Sequence, residues 1–114
     1  MMAGLACGEP NTISWDILKN HSSFFVSCPD WVSAKGMRML GAPVKGDPQV
    51  VSGESGAVGM GLLATLMESD AYKDLRDAMG LTQDSVVLMF STEGDTDPEN
   101  YKAVVWGGAH ATEA

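Results

Sequence analysis

A chain of 114 residues has room for one domain with a modest core, and its apolar fraction of 45% is that of a globular rather than a disordered protein. The formal net charge of −8 leaves only seven basic residues, scattered along the chain, which argues against a nucleic-acid binder. No apolar stretch is long enough to span a bilayer and no basic signal-peptide start precedes an apolar run, so the reading is a soluble cytoplasmic protein.

In chain order, residues 1–5 (MMAGL) read as a short strand broken by Gly8 and Pro10. Asn11 or Thr12 can cap a helix running to about His21. Residues 23–27 (SFFVS) are a strand candidate centred on 24–26. Asp30 is positioned to cap a helix, DWVSAKGMRML, that Gly41 ends ahead of Pro43. Residues 44–49 form a connector with turn formers at Gly46 and Pro48. Residues 50–68 then read as one unit: a β-branched start at Val50 and Val51, a turn over Ser52, Gly53, Glu54, Ser55 and Gly56, and an apolar helix. Gly59 and Gly61 lie inside that helix, where each costs roughly 1 kcal/mol relative to Ala. Close packing against a sheet is the expected reason for them.

Ser69 and Asp70 open a short amphipathic helix closed by Gly80. Residues 85–90 (SVVLMF) are the best strand pattern in the chain, apolar throughout as in a strand covered on both faces. A polar turn over 91–96 follows. Asp97 and Pro98 then open a last helix to about Trp106, and residues 107–114 read as a flexible tail. The alternation of strand and helix predicts a three-layer α/β fold, with a mostly parallel sheet built from 24–26, 50–51 and 86–90 and flanked by helices. Ligands of such sheets bind beyond the carboxyl ends of the strands, where the loops 53–56 and 91–96 are expected to converge.

Several chemistries fail on spacing. The run Gly53-Glu54-Ser55-Gly56-Ala57-Val58-Gly59 is not a dinucleotide fingerprint, lacks the GK[ST] ending of a P-loop, and contains no GxSxG. Glu93, Asp95 and Asp97 are too closely spaced for an EF-hand and read as solvated turn carboxylates. His21 and His110 have no partner at metal-ligand spacing, and Cys7 and Cys28, without CxxC spacing, read as free thiols in a reducing compartment. The start of the 54–68 helix could receive an anion on its free N–H groups. From pattern alone, a buried crossover helix and a ligand loop remain equally open there.

The strings MAGLACGEPNTISWDIL, DWVSAKGMRMLGAP, VVSGESGAVG and FSTEGDTDPENYKAVVWGG resemble the C-terminal part of the diaminopropionate ammonia-lyases. These are fold type II (tryptophan-synthase β-like) pyridoxal-phosphate enzymes, which convert 2,3-diaminopropionate to pyruvate and ammonia by α,β-elimination. The resemblance implies that Ser91 hydrogen-bonds the pyridine nitrogen of the cofactor, with Thr92 beside it, and that Gly53 and Glu54 lie along the ring. A serine hydroxyl does not hold that nitrogen protonated as a carboxylate can, which makes the ring a weaker electron sink and favours rapid loss of a β-leaving group.

The resemblance also implies that residues 1–106 are the C-terminal part of a cofactor domain. The family's Schiff-base lysine and glycine-rich phosphate loop lie earlier in a longer chain, and none of Lys19, Lys35, Lys45, Lys73 or Lys102 sits in a matching motif. The expectation is a piece that is inactive alone, does not bind pyridoxal phosphate covalently, and forms a homo-oligomer or pairs with the missing upstream part. In the intact enzyme its partner is a small amino-acid substrate, with no nucleic acid and no membrane. Two alternatives from other classes are an independent small-metabolite or anion-binding module, and a non-catalytic, self-associating interaction protein with an exposed sheet edge.

Overall fold

The computed structural model describes residues 1–5 and 8–111, and among these the regular structure is entirely helical. Cys7 lies outside the described residues. Helix α1 (Thr12–His21) begins where the Asn11 carboxamide oxygen accepts from the N–H groups of Ile13 and Ser14, both at 3.0 Å. Helix α2 (Asp30–Gly41) takes Asp30 as its first residue rather than as its cap. Pro29 holds the cap position without a side-chain bond, and the Asp30 carboxylate suits the positive end of the helix dipole. Helix α3 (Glu54–Glu68) is the longest. A 3-10 turn at Asp70–Tyr72 leads into α4 (Lys73–Ala78), after which Gly80 takes a left-handed φ of +72°. Helix α5 (Pro98–Val105) starts with Pro98 in the first turn and the Asp97 carboxylate accepting from Asn100 N–H at 3.2 Å.

The core is the crossing of α2 and α3. Val32, Ala34 and Met37 from α2 are buried, as are Ala57, Ala64 and Leu66 from α3, and α5 adds Val104. The two backbones touch at a pair of glycines. A Cβ on Gly36 would collide with the carbonyl of Ala57 and sit 2.9 Å from Gly61 N, and a Cβ on Gly61 would collide with the carbonyl of Val32 and sit 3.0 Å from Gly36 N. The expectation of close packing at Gly61 therefore holds, but its partner is a helix. Gly59 faces the side chain of Met89 instead, with Sδ 3.4 Å from where a Cβ would stand.

The α/β reading is overturned: no strand and no sheet occur among the described residues. Residues 1–5 carry a 3-10 turn at Ala3–Leu5, and the runs 24–26, 50–51 and 85–90 are neither helical nor paired in a ladder. A strand is defined by backbone hydrogen bonds to a neighbour, and β-branched or aromatic composition cannot supply that neighbour. One backbone bond joins the stretches that follow 50–51 and 85–90, from Gly53 N–H to the Glu93 carbonyl at 3.0 Å. The apolar run expected to be covered on both faces is open, with Val86 98% and Phe90 77% exposed. Helix α1 stands largely outside the core, touching residue 25 through the rings of Trp15 and Phe25 at 6.1 Å.

Replacing Gly36 or Gly61 by Ala should destabilise the chain by about 3 kcal/mol or more, since backbone rather than a flexible side chain must give way. Gly59→Ala should cost nothing or stabilise by up to roughly 1 kcal/mol through helix propensity. Denaturant unfolding of the three variants checks the contrast, and equal losses at all three positions would contradict the α2–α3 contact.

Candidate functional site

The two loops singled out in the sequence do meet. Residues 91–94 lie across the start of α3, which has no side-chain cap of its own at Gly53. Glu93 supplies one from a distance: its carbonyl accepts from Gly53 N–H, and its carboxylate accepts from Ser55 N–H at 3.3 Å. Both glycines of the turn are required by this approach. A Cβ on Gly53 would lie 2.7 Å from the Gly94 carbonyl oxygen, and one on Gly56 would lie 2.7 Å from Ser52 Oγ and 3.2 Å from Ser91 Oγ.

At the same point the hydroxyls of Ser52 and Ser91 are 2.8 Å apart. Ser52 is fully buried, while Ser91 is exposed. Thr92 follows Ser91 on the exposed surface. Of the four residues expected to line a ligand, Ser91 and Gly53 are thus brought to one place.

Glu54 lines the cavity beside the turn and is tied into a hydrogen-bond network. Its carboxylate accepts from Met2 N–H at 2.7 Å and from the Asn100 carboxamide, and its carbonyl accepts from Ser33 Oγ. It ties the chain start, α2 and α5 to the first residue of α3. Beside it lies a cavity of about 240 Å³ whose wall includes Gly53, Glu54, Glu93, Asp95, Asp97 and Tyr101. A second cavity of about 390 Å³, with apolar walls from Leu40, Val50, Met60, Leu63 and Val87, has Ser91 on its rim. Among the described residues, none that lines either cavity is basic. Lys35 is held by Glu68 at 3.1 Å, and Lys102 lies over the Trp106 ring.

The turn carboxylates have assignable tasks: Glu93 caps α3, Asp97 caps α5, and Asp95 faces Tyr101. Among the described residues no group of three or more His, Cys, Asp or Glu is arranged to hold a metal ion. Burial raises the Tyr101 phenol above its usual range, and the negative charge of Asp95 adds to the effect. Burial raises the Cys28 thiol above its usual range, which disfavours the thiolate.

Sequence reading missed Ser52, Asn100 and Tyr101. Ser52 lies 39 positions from Ser91 and Asn100 lies 46 from Glu54, and neither pairing has a local pattern that announces it.

No family model matches the chain. Curated relatives do. It is 53% identical to the diaminopropionate ammonia-lyase of Escherichia coli strain K12 over 111 residues, and 51% identical to that of Salmonella typhimurium over 112. Each alignment takes in 97% of this chain and 28% of the enzyme. Among solved structures, the E. coli enzyme in complex with D-serine superposes with a TM-score of 0.91 at 53% identity, covering 97% of this chain and 28% of that one. The same enzyme in complex with an aminoacrylate–PLP azomethine reaction intermediate gives 0.91 at 54% identity, covering 96% and 29%.

Identity and backbone agreement at this level make the chain homologous to the C-terminal part of a pyridoxal-phosphate-dependent lyase. That lyase is diaminopropionate ammonia-lyase, and the chain spans a little over a quarter of the length of the relatives it matches.

The raised Tyr101 phenol has a measurable consequence. A group whose folded pKa lies above its unfolded value contributes stability that is full below the unfolded pKa, near 10, and is lost as pH rises through the folded value. Melting temperature should therefore fall as pH passes 10, and Tyr101→Phe should flatten that fall. Asp95→Asn should bring the phenol's titration, followed by tyrosinate absorbance, to lower pH.

Proposed function

We propose that this chain forms the ring-nitrogen wall of a pyridoxal-phosphate site in a cytoplasmic lyase that eliminates ammonia from 2,3-diaminopropionate to give pyruvate. The observation that carries the reading is the Ser52–Ser91 hydroxyl pair, 2.8 Å apart at the start of α3, in a chain 53% identical to the E. coli enzyme. The residues present suit the ring end of the cofactor. Ser91 is exposed and offers a neutral donor, and glycine at 53 and 56 leaves the turn without side chains that would crowd a flat ring. They do not suit its phosphate end, because both nearby cavities lack a basic residue and the first carries four carboxylates.

When bound, the cofactor supplies the electron sink for loss of the substrate's α-proton and β-amino group. Ser91 would donate a hydrogen bond to the pyridine nitrogen without protonating it. Gly53 and Thr92 would flank the ring, and Glu54 would hold the turn in place through Met2 and Asn100. Residues 1–106 would supply this wall, and Ala109 beyond them docks back on the core through its bonds to Arg38 and Ala103. The lysine and the phosphate contacts would come from residues corresponding to the larger part of the relatives.

An anion-binding module is disfavoured by a specific feature: two of the N–H groups at the start of α3, those of Gly53 and Ser55, are met by the Glu93 carbonyl and carboxylate, which places a negative charge where an anion would sit. Self-association has support of its own in the exposed apolar run of residues 86–90. Sedimentation should show species larger than a monomer as concentration rises, and a monomer throughout would count against pairing with itself.

The test is a chimera in which this chain replaces the matching segment of the E. coli enzyme. It should release pyruvate from 2,3-diaminopropionate. Ser91→Ala in it should lower cofactor affinity and turnover by at least several-fold, since a lost hydrogen bond costs roughly 0.5–1.5 kcal/mol. The 114-residue chain alone should release no pyruvate above a heat-killed control. Unchanged affinity and turnover in the Ser91→Ala chimera would sink the assignment.

A further inference from the structure

The buried hydroxyl behind Ser91 has one good place for its proton. Ser52 is fully buried, so no solvent can accept from it. Among the described residues two acceptors are in reach: Ser91 Oγ at 2.8 Å, and the carbonyl of the adjacent Gly53 at 3.4 Å. The first distance is normal for a hydroxyl–hydroxyl bond, and the second is beyond the normal range. Gly56 closes the other side, leaving only 2.7 Å between Ser52 Oγ and the point where a Cβ would stand. If Ser91 instead donated to Ser52, the proton on Ser52 would be left with only the long contact, at the expense of a buried donor without an adequate partner.

We infer that Ser52 is a positioning residue that donates its proton to Ser91 and so obliges Ser91 to present its own proton outward. An isolated serine hydroxyl rotates and can offer either a proton or a lone pair. Held by Ser52, Ser91 offers a proton to whatever lies in front of it, and accepting a bond from Ser52 polarises the hydroxyl into a stronger donor. The group that fits is an aromatic nitrogen with a free lone pair. A protonated pyridine nitrogen does not fit, since it would face another donor. The inference rests on the cofactor reading above and deepens it: the protonation state of the ring nitrogen is selected by a residue that does not touch the ring.

The experiment uses the chimera loaded with pyridoxal phosphate, in four forms: Ser52→Ala, Ser91→Ala, the double substitution, and Ser52→Cys. The readouts are the cofactor dissociation constant, the cofactor's absorption maximum and the melting temperature. Ser52→Ala should weaken cofactor binding by about three- to tenfold and shift the absorption maximum in the same direction as Ser91→Ala. The double variant should bind no more weakly than Ser91→Ala, because the two residues act through one donor. Ser52→Cys, with a weaker donor of similar shape, should fall between Ser52→Ala and the parent. A spectral shift at an unaltered melting temperature separates positioning from a loss of fold.

If Ser91→Ala leaves binding and spectrum unchanged, the cofactor reading itself fails, and this inference fails with it. If Ser91→Ala weakens binding while Ser52→Ala does not, the cofactor reading stands and this inference is overturned. Additive losses in the double variant also overturn it, as does a Ser52→Cys form that behaves as Ser52→Ala in every readout.

Discussion

The backbone contact between Gly36 and Gly61 is the constraint on which the rest of the structure depends. It lets α2 and α3 approach until the carbonyls of Val32 and Ala57 lie where side chains would otherwise stand. With the helices that close, small residues such as Ala34, Ala57 and Ala64 suffice to exclude water, and Met37 and Leu66 fill what remains. Two helical glycines cost about 2 kcal/mol in propensity, and close packing along the crossing must offset that. The crossing also fixes where α3 begins, because Ser33 of α2 bonds the Glu54 carbonyl within the first turn of α3.

From that anchored start the site follows. A helix beginning at Glu54 presents unpaired N–H groups, and they are met by Glu93, which draws residues 91–94 across the turn. That approach brings Ser91 to Ser52. A buried serine needs a partner, and an exposed one beside it provides the partner while keeping a face open to solvent. Glu54 reinforces the arrangement from the other side by joining the chain start to α5. The residues expected to touch a ligand are thus few, and the network that holds them is assembled from caps and a helix crossing.

The acidic character of the surroundings bears on how the site divides its work. With Glu54, Glu93, Asp95 and Asp97 around the neighbouring cavity, a phosphate there would meet no counter-charge among the described lining residues. A neutral group meeting a neutral hydroxyl would be the contact least penalised there. The chain aligns with 28% of the length of the relatives it matches, so most of such an enzyme lies in segments other than this one.

The helix positions were legible in the sequence because their signals are local. Asn11, Asp97 with Pro98, and Gly80 act within a few residues of themselves, and the structure uses each as a cap or stop. The motif strings around Gly53 and Ser91 were legible for a different reason: they are specific enough to carry the family relationship. Residues 85–90 were not, because a run such as SVVLMF states a preference for being covered and paired, and pairing is a property of two segments. Only the tertiary structure decided that Gly61 faces a helix instead of a sheet, that Glu93 caps a helix some forty residues before it, and that Ser52 stands behind Ser91. Each of these joins residues far apart in the chain, and such contacts arise from how whole elements pack, which no local pattern encodes.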